Sequence, residues 1–287
     1  MRRTNEKRPA APPSGFTRLD LVGSIAAFFL LCCVAMPCLA GLGRDSRWLV
    51  SMSNLRRLTA AWNCYAQDNG GGLPPNSSSS QSGKTLGQSS WAGGGLAATF
   101  NTGDSTNTSF LVNPYGRWPD GVIRHYSGLL GYYEQDVRLF QSPGGSVRTN
   151  GVEWPRIRCY SMNGLIIGPS KAVDGWVQHA INSRYDVFRS LSDFKTARPA
   201  STFVLITERP DEIGVASFSV GEGSPPKVPA FHENGGANLS FADGHVENWQ
   251  WRGPVFSGRQ KAPLFPNPLG PQDQLDADRL WRAATAR

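Results

Sequence analysis

The sequence predicts an α+β protein in which a long N-terminal helix packs on an antiparallel β-sheet. Three features predict it. Residues 21–42 are an uncharged apolar run, long enough to cross a bilayer as one helix, which needs ~20 apolar residues. Residues 47–68 carry apolar side chains at helical spacing. Further along, short β-branched and aromatic runs are separated by Gly, Pro, Asn and Asp, the pattern of strands joined by turns. The 32 Gly and 21 Pro imply much loop, so helix is not expected to dominate beyond the N-terminal part.

Residues 1–15 are basic and proline-bearing. Arg2, Arg3, Lys7 and Arg8 against Glu6 supply +3 of the formal net charge of +7, leaving +4 spread over the rest. Basic residues ahead of a first membrane helix hold that end in the cytoplasm. The remainder is then expected outside it, and the thin spread of charge predicts no nucleic-acid partner. Asp20 opens the apolar run. A carboxylate in hydrocarbon costs at least ~2.5 kcal/mol, so the residue asks for a partner.

Gly15-Phe16-Thr17, followed by Asp20 and the apolar run, resembles the N-terminus of type IV prepilins and type II secretion pseudopilins. The resemblance implies cleavage by a prepilin peptidase between Gly15 and Phe16, and methylation of the new Phe16 amino group. It also implies assembly through the N-terminal helix, with Asp20 facing the amino terminus of a neighbouring subunit. Pro37 falls where helices of that family often carry proline. The chain differs in having Asp20 where the family has Glu, and Arg18 where it has an apolar residue; a long side chain there can snorkel to the headgroups. The alternative for this end is a plain anchor, or a signal peptide cut after Ala40 in the context Cys38-Leu39-Ala40.

In residues 47–68, Trp48, Met52, Leu55, Leu58, Trp62 and Tyr65 recur at steps of three or four, and Asn69-Gly70-Gly71-Gly72 ends the pattern. The division expected is a leader at 1–15, a membrane helix at 16–43, an amphipathic stalk helix at 44–69, a globular part at 70–252 and a Pro-rich tail at 253–287. Residues 70–110, rich in Gly, Ser, Asn and Thr, read as a long loop. Residues 127–133 are a short helix or strand candidate, and residues 137–140, 157–162 and 201–207 have strand character. A short helix is expected around 276–284. Asp243-Gly244 suits a two-residue type I′ hairpin turn, which would set Ala242 opposite His245 and Phe241 opposite Val246.

The segment 231–251, FHENGGANLSFADGHVENWQW, resembles the C-terminal motif of pilin-like proteins abundant in planctomycetes and verrucomicrobia: a His, a nine-residue gap, then Asp-Gly. Here ten residues separate His232 from Asp243-Gly244. Residues 54–69, Cys159-Tyr160-Ser161-Met162-Asn163-Gly164 and the C-terminal helix candidate resemble the same group. Its mid-domain Cys-Pro-Ser stands here as Ser142-Pro143-Gly144.

Outside the apolar run the cysteines are Cys64 and Cys159; one disulfide or two buried thiols fit equally. His232, Asp243, His245 and Glu247 are the candidates for metal or acid–base chemistry, since imidazole and carboxylate suit a divalent ion. A structural role is favoured, because Asp243-Gly244 is used by the turn and His245 and Glu247 share one strand face. No nucleophile elbow, phosphate loop or dinucleotide fingerprint is present, and no cofactor is expected. The chain is thus expected to be a non-enzymatic, single-pass inner-membrane subunit of a pilus-like or type II pseudopilus assembly, with its C-terminal domain in the periplasm or at the cell surface. An anchored glycan-binding module that does not polymerise, and an anchored hydrolase using His232, are the rivals.

Overall fold

Thr17 starts the first helix. It is extended (φ −94°, ψ 163°), its hydroxyl accepts the Asp20 amide at 3.2 Å, and the Asp20 carboxylate accepts the Thr17 amide at 2.8 Å. This reciprocal cap satisfies amides that have no partner inside the helix. The computed structural model describes residues 17–76, 90–93, 108–112, 115–117, 123–125, 128–149, 152–169, 185–195, 198–211, 213–219, 227–260 and 269–285. The helices are α1 (Arg18–Asp45), α2 (Arg47–Asp68), the single turn α3 (Ser109–Val112) and α4 (Pro271–Thr285). The chain divides at Ser46 into two units, residues 1–46 and residues 47–287. Side chains of α1 are described as far as Cys33, and among the described residues no helix is long and apolar enough to cross a membrane.

Helix α2 ends at glycines, as its sequence predicts. Gly70 has φ +64°, and Gly71 donates back to the Ala66 carbonyl at 2.7 Å, the bond of a Schellman cap. Its buried face is Ser51, Asn54, Leu55, Leu58, Thr59, Ala61, Trp62 and Ala66. That face is turned from the purely apolar stripe: Trp48, Met52 and Tyr65 are only half-buried, and small polar residues take their place.

The strands are β1 (Tyr115–Arg117), β2 (Ile123–His125), β3 (Ser146–Thr149), β4 (Val152–Pro155), β5 (Tyr160–Asn163), β6 (Phe203–Thr207), β7 (Ser217–Phe218), β8 (Gly236–Phe241) and β9 (Val246–Gln250). β1 pairs with β2 and β3 with β4 as two antiparallel ribbons. The other five form one sheet in the order β7-β5-β6-β8-β9. The protein is α+β, with one correction: the sheet is mixed. β7 runs parallel to β5, Met162 opposite Ser217 and Asn163 opposite Phe218. The buried Phe218 ring meets Phe203 edge-on, with centroids 6.4 Å apart, and that contact holds the segment against the free side of β5. β5, β6 and β8 are buried along their whole length, so both faces of the sheet centre are covered. Edge strand β9 is exposed or half-buried except at Trp249, which is buried.

Residues 137–140, read as a strand, form a 3₁₀ turn. Asp136 caps it by accepting the Arg138 amide at 3.0 Å, a local bond that competes with extended backbone. Residues 129–132 are likewise 3₁₀. Of the expected loop at 70–110, the described part is pinned at Gly72, which bridges Ser190, and at buried Leu73.

The tail is part of the core. Leu280, Ala283 and Ala284 of α4 are buried, and the Asn163 side-chain amide donates to the carbonyls of both Phe203 and Ala284 at 3.1 Å. Buried Asp276 accepts the Arg252 and Gly253 amides at 2.8 Å, and Asp273 accepts those of Val255 and Phe256 at 3.0 Å. The Arg279 guanidinium lies 3.7 Å over the Trp249 ring.

β8 and β9 approach closest at Gly236, where a Cβ would collide with the Trp249 carbonyl. Gly236→Ala should therefore destabilise the domain by ~1–3 kcal/mol through overpacking. The chemical-denaturation midpoint of the full chain in detergent reads this, and an unchanged midpoint would show that β9 yields freely.

Candidate functional site

The His232–Trp251 segment makes two tight turns. Asn234 and Gly235 have φ of 51° and 79°, and Glu233 and Gly236 exchange backbone hydrogen bonds at 3.1 and 3.0 Å. Left-handed φ at both central residues is the type I′ turn that Asn-Gly favours. The Asp243-Gly244 turn takes another form. Gly244 (φ 94°) donates to the Phe241 carbonyl at 2.9 Å, and Phe241 donates to the His245 carbonyl at 3.0 Å. Asn234 is the one non-glycine at positive φ among the described residues, so Asp243 is not. The result is a three-residue loop with a bulge at Gly244. Its cause is local: Asp243 accepts the His245 amide at 3.1 Å. The expected register is corrected by one residue. Ser240 stands opposite Val246, and the Phe241 ring stacks on His245 at 4.3 Å.

The candidate ligands are split between two places. His245 lies at the exposed tip, Nδ1 at 2.5 Å from Asp243 and Nε2 at 3.2 Å from Glu247. His232 packs instead on Gly144, where a Cβ would lie 2.7 Å from its ring. Its Nε2 is 3.5 Å from the Ser142 hydroxyl and 3.6 Å from the Glu233 carboxylate. Among the described residues no three His, Cys, Asp or Glu side chains are placed to hold a metal ion. Burial lowers the His232 pKa to about 4, so the ring is neutral at physiological pH.

Ser142, His232 and Glu233 include the residue types of a hydrolytic triad, yet their order differs. In such a triad the imidazole stands between hydroxyl and carboxylate. Here the Ser142 hydroxyl donates directly to Glu233 at 2.5 Å, and Ser142 is itself buried. Its proton is committed to the acid, and this geometry does not make His232 its base.

Glu233 is the centre of the arrangement, and the sequence reading missed it. Its second oxygen accepts from Asn238 at 3.3 Å, and Asn238 also donates to the Trp48 carbonyl of α2 at 2.9 Å. Asn248 donates to the Asn238 side chain and to the Glu233 carbonyl, both at 2.8 Å. Burial raises the Glu233 pKa. Farther along α2, the Ser51 and Tyr160 hydroxyls meet at 3.1 Å, Asn54 donates to Gln141 at 2.9 Å and Thr59 donates to Ser240 at 2.6 Å. A usable signal was the Asn238–Asn248 pair, two amides in register across a hairpin whose first strand carries just one other polar side chain, Ser240.

A second buried polar group lies at the start of β5. Glu208 accepts from Ser161 and pairs with Lys227 at 3.0 Å. Arg158 is fully buried, donates through Nη1 to the Tyr160 carbonyl at 2.6 Å, and has its pKa lowered to about 10 by burial. Of the two arrangements open for Cys64 and Cys159, a disulfide or two buried thiols, neither is found. Cys64 is exposed on α2, whereas Cys159 is buried against the Gly145 carbonyl, and both are free. Trp62, Trp91, Trp249 and Trp251 are all buried, so none of them offers a face to a glycan. At the other end, Asp20 caps α1, while Gly15 and Phe16 lie outside the described residues.

No family model, no curated protein and no solved structure matches the chain.

The acid response of the domain should carry the signature of His232. Its folded pKa, about 4, lies below the ordinary 6.5, so as pH falls the unfolded chain binds the proton first. Stability from this group is lost between pH ~6.5 and ~4, up to ~3 kcal/mol at ~1.4 kcal/mol per pH unit. Glu233, with its raised pKa, works in the opposite direction. Urea melts of wild type and His232→Asn from pH 7 to 4 separate the two, and parallel profiles would contradict the assignment.

Proposed function

We propose that this chain is a non-enzymatic, membrane-anchored pilin-like subunit that assembles through its N-terminal helix after leader cleavage. The observation that carries the reading is the order of parts. Gly15-Phe16-Thr17 and Asp20 precede the apolar run 21–42, and a separate unit begins directly after Ser46 with a helix that packs on a sheet. The His232–Trp251 motif supports it further, because its polar residues are engaged in holding α2 to the hairpin and leave little for chemistry.

In this reading the leader stays in the cytoplasm, the helix anchors in the inner membrane and the α+β unit lies in the periplasm or at the cell surface. Prepilin peptidase and other pilin-like subunits are the partners. Asp20 has two offers for its charge: the Thr17 cap within the chain and the amino group of a neighbour's Phe16. A free ammonium is the stronger partner in a low-dielectric setting, since it offers a full opposite charge where the Thr17 cap offers only dipoles.

Intact-mass analysis of membrane extracts tests the processing. A mature chain starting at Phe16, with one added methyl group, is expected; a start at Gly41 or an intact Met1 would sink the proposal.

Asp20→Asn retains a helix cap and removes the charge. It should leave membrane insertion intact and reduce crosslinking between subunits. Unchanged crosslinking would mean that the cap is the residue's whole role.

A further inference from the structure

Among the described residues the guanidinium of Arg158 has more unmet buried donors than any other side chain. Its Nη1 serves the Tyr160 carbonyl at 2.6 Å and the Ser161 hydroxyl at 3.3 Å, but Nε and Nη2 have no acceptor among the described residues. These two nitrogens form one edge of the planar fork. The same edge grips a carboxylate in two prongs elsewhere in this chain. Arg57 holds Glu134 at 3.2 and 2.7 Å, and Arg209 holds Asp211 at 3.1 and 2.6 Å, each through Nε and Nη2. Arg158 is fully buried, and a buried charge whose donors go unmet is strongly destabilising.

The neighbouring acid does not meet the need. Glu208 is also fully buried, but its oxygens are directed to Ser161 and to Lys227, 3.0 Å away. Arg156 is buried two residues along the chain from Arg158. Among the described residues Arg158 and Lys227 both act on the buried carboxylate of Glu208, and the indole of Trp91 lies 5.7 Å from the Arg158 carbon centre. Lys227 already meets that acid, and the unmet donors of Arg158 are parallel.

We infer that the Nε–Nη2 edge of Arg158 anchors an internal site for a small anion presenting two oxygens in one plane, of formate or nitrate type. A planar pair of oxygens matches the fork bidentately, where a spherical halide can take only one position between the donors. The anion's role is to meet the two open donors of Arg158 in the core behind β5. This inference is independent of the assembly proposed above.

Thermal melting of the full-length protein in detergent micelles tests it, with sodium formate and sodium chloride compared at equal ionic strength. Formate should give a saturable rise in Tm, about 3–6 °C at tenfold excess over its Kd, and chloride should lack it. Arg158→Lys retains the charge but loses the fork, and should reduce the formate response to that of chloride. An equal formate response in Arg158→Lys, or no difference between the salts in wild type, overturns the site. Should the variant fail to fold, saturation transfer from protein to the formate proton decides in wild type alone. Transfer that nitrate abolishes and chloride leaves supports the site, and absence of transfer overturns it.

Discussion

The carboxylate of Glu233 is the tie on which the rest of the domain depends. It sits inside the protein between the turn at Ser142, strand β8 and, through Asn238, the first turn of α2. Burying such a group costs several kcal/mol unless its oxygens are met, so any arrangement that separates these segments is penalised at once. The apolar contacts of α2 supply more energy: each buried Leu or Trp contributes ~1.5–3 kcal/mol, against ~0.5–1.5 kcal/mol net for an ordinary hydrogen bond. Apolar packing holds the helix on the sheet, and the polar seam selects where along the sheet it rests. Leu55, Leu58 and Trp62 would tolerate a sliding helix far better than Asn238 and Thr59 would.

Local rules made the helices legible. The spacing from Trp48 to Tyr65 and the glycines after Asn69 place α2 almost to the residue. Which side of α2 is buried was less legible, because Ser51, Asn54 and Thr59 look like surface residues until their partners from distant segments are known. The same limit explains residues 137–140, where Val-Arg-Leu-Phe alternates like a strand but one Asp136 cap folds it into a turn. β7 is two residues long and parallel to β5, and nothing in so short a stretch announces its direction.

At the candidate site the sequence pointed to the right segment and to the wrong details. Asp243-Gly244 is a turn, yet the carboxylate of Asp243 bonds the His245 amide and shifts the pairing by one residue. Asn234-Gly235, a stronger I′ signal, went unread beside it. His232 was singled out for its chemistry, whereas its neighbour Glu233 bears the structural role. Arg156 and Arg158 flank Ile157 in a pattern that suggests an exposed strand face, and all three are buried. Burial of charge is set by segments far away in sequence, and a local pattern carries no trace of it.

The C-terminal helix sets the timing of folding. Ala284 receives the Asn163 amide, and Asp273 and Asp276 secure the backbone of residues 252–256. The Trp48 carbonyl likewise waits for Asn238, 190 residues later. Contacts so distant along the chain close slowly. The interior is therefore incomplete until residues 271–285 have joined it. Until α4 docks, the Asn163 amide and the backbone of residues 252–256 lack the partners that this helix supplies, and the helix acts as the latch that closes the interior.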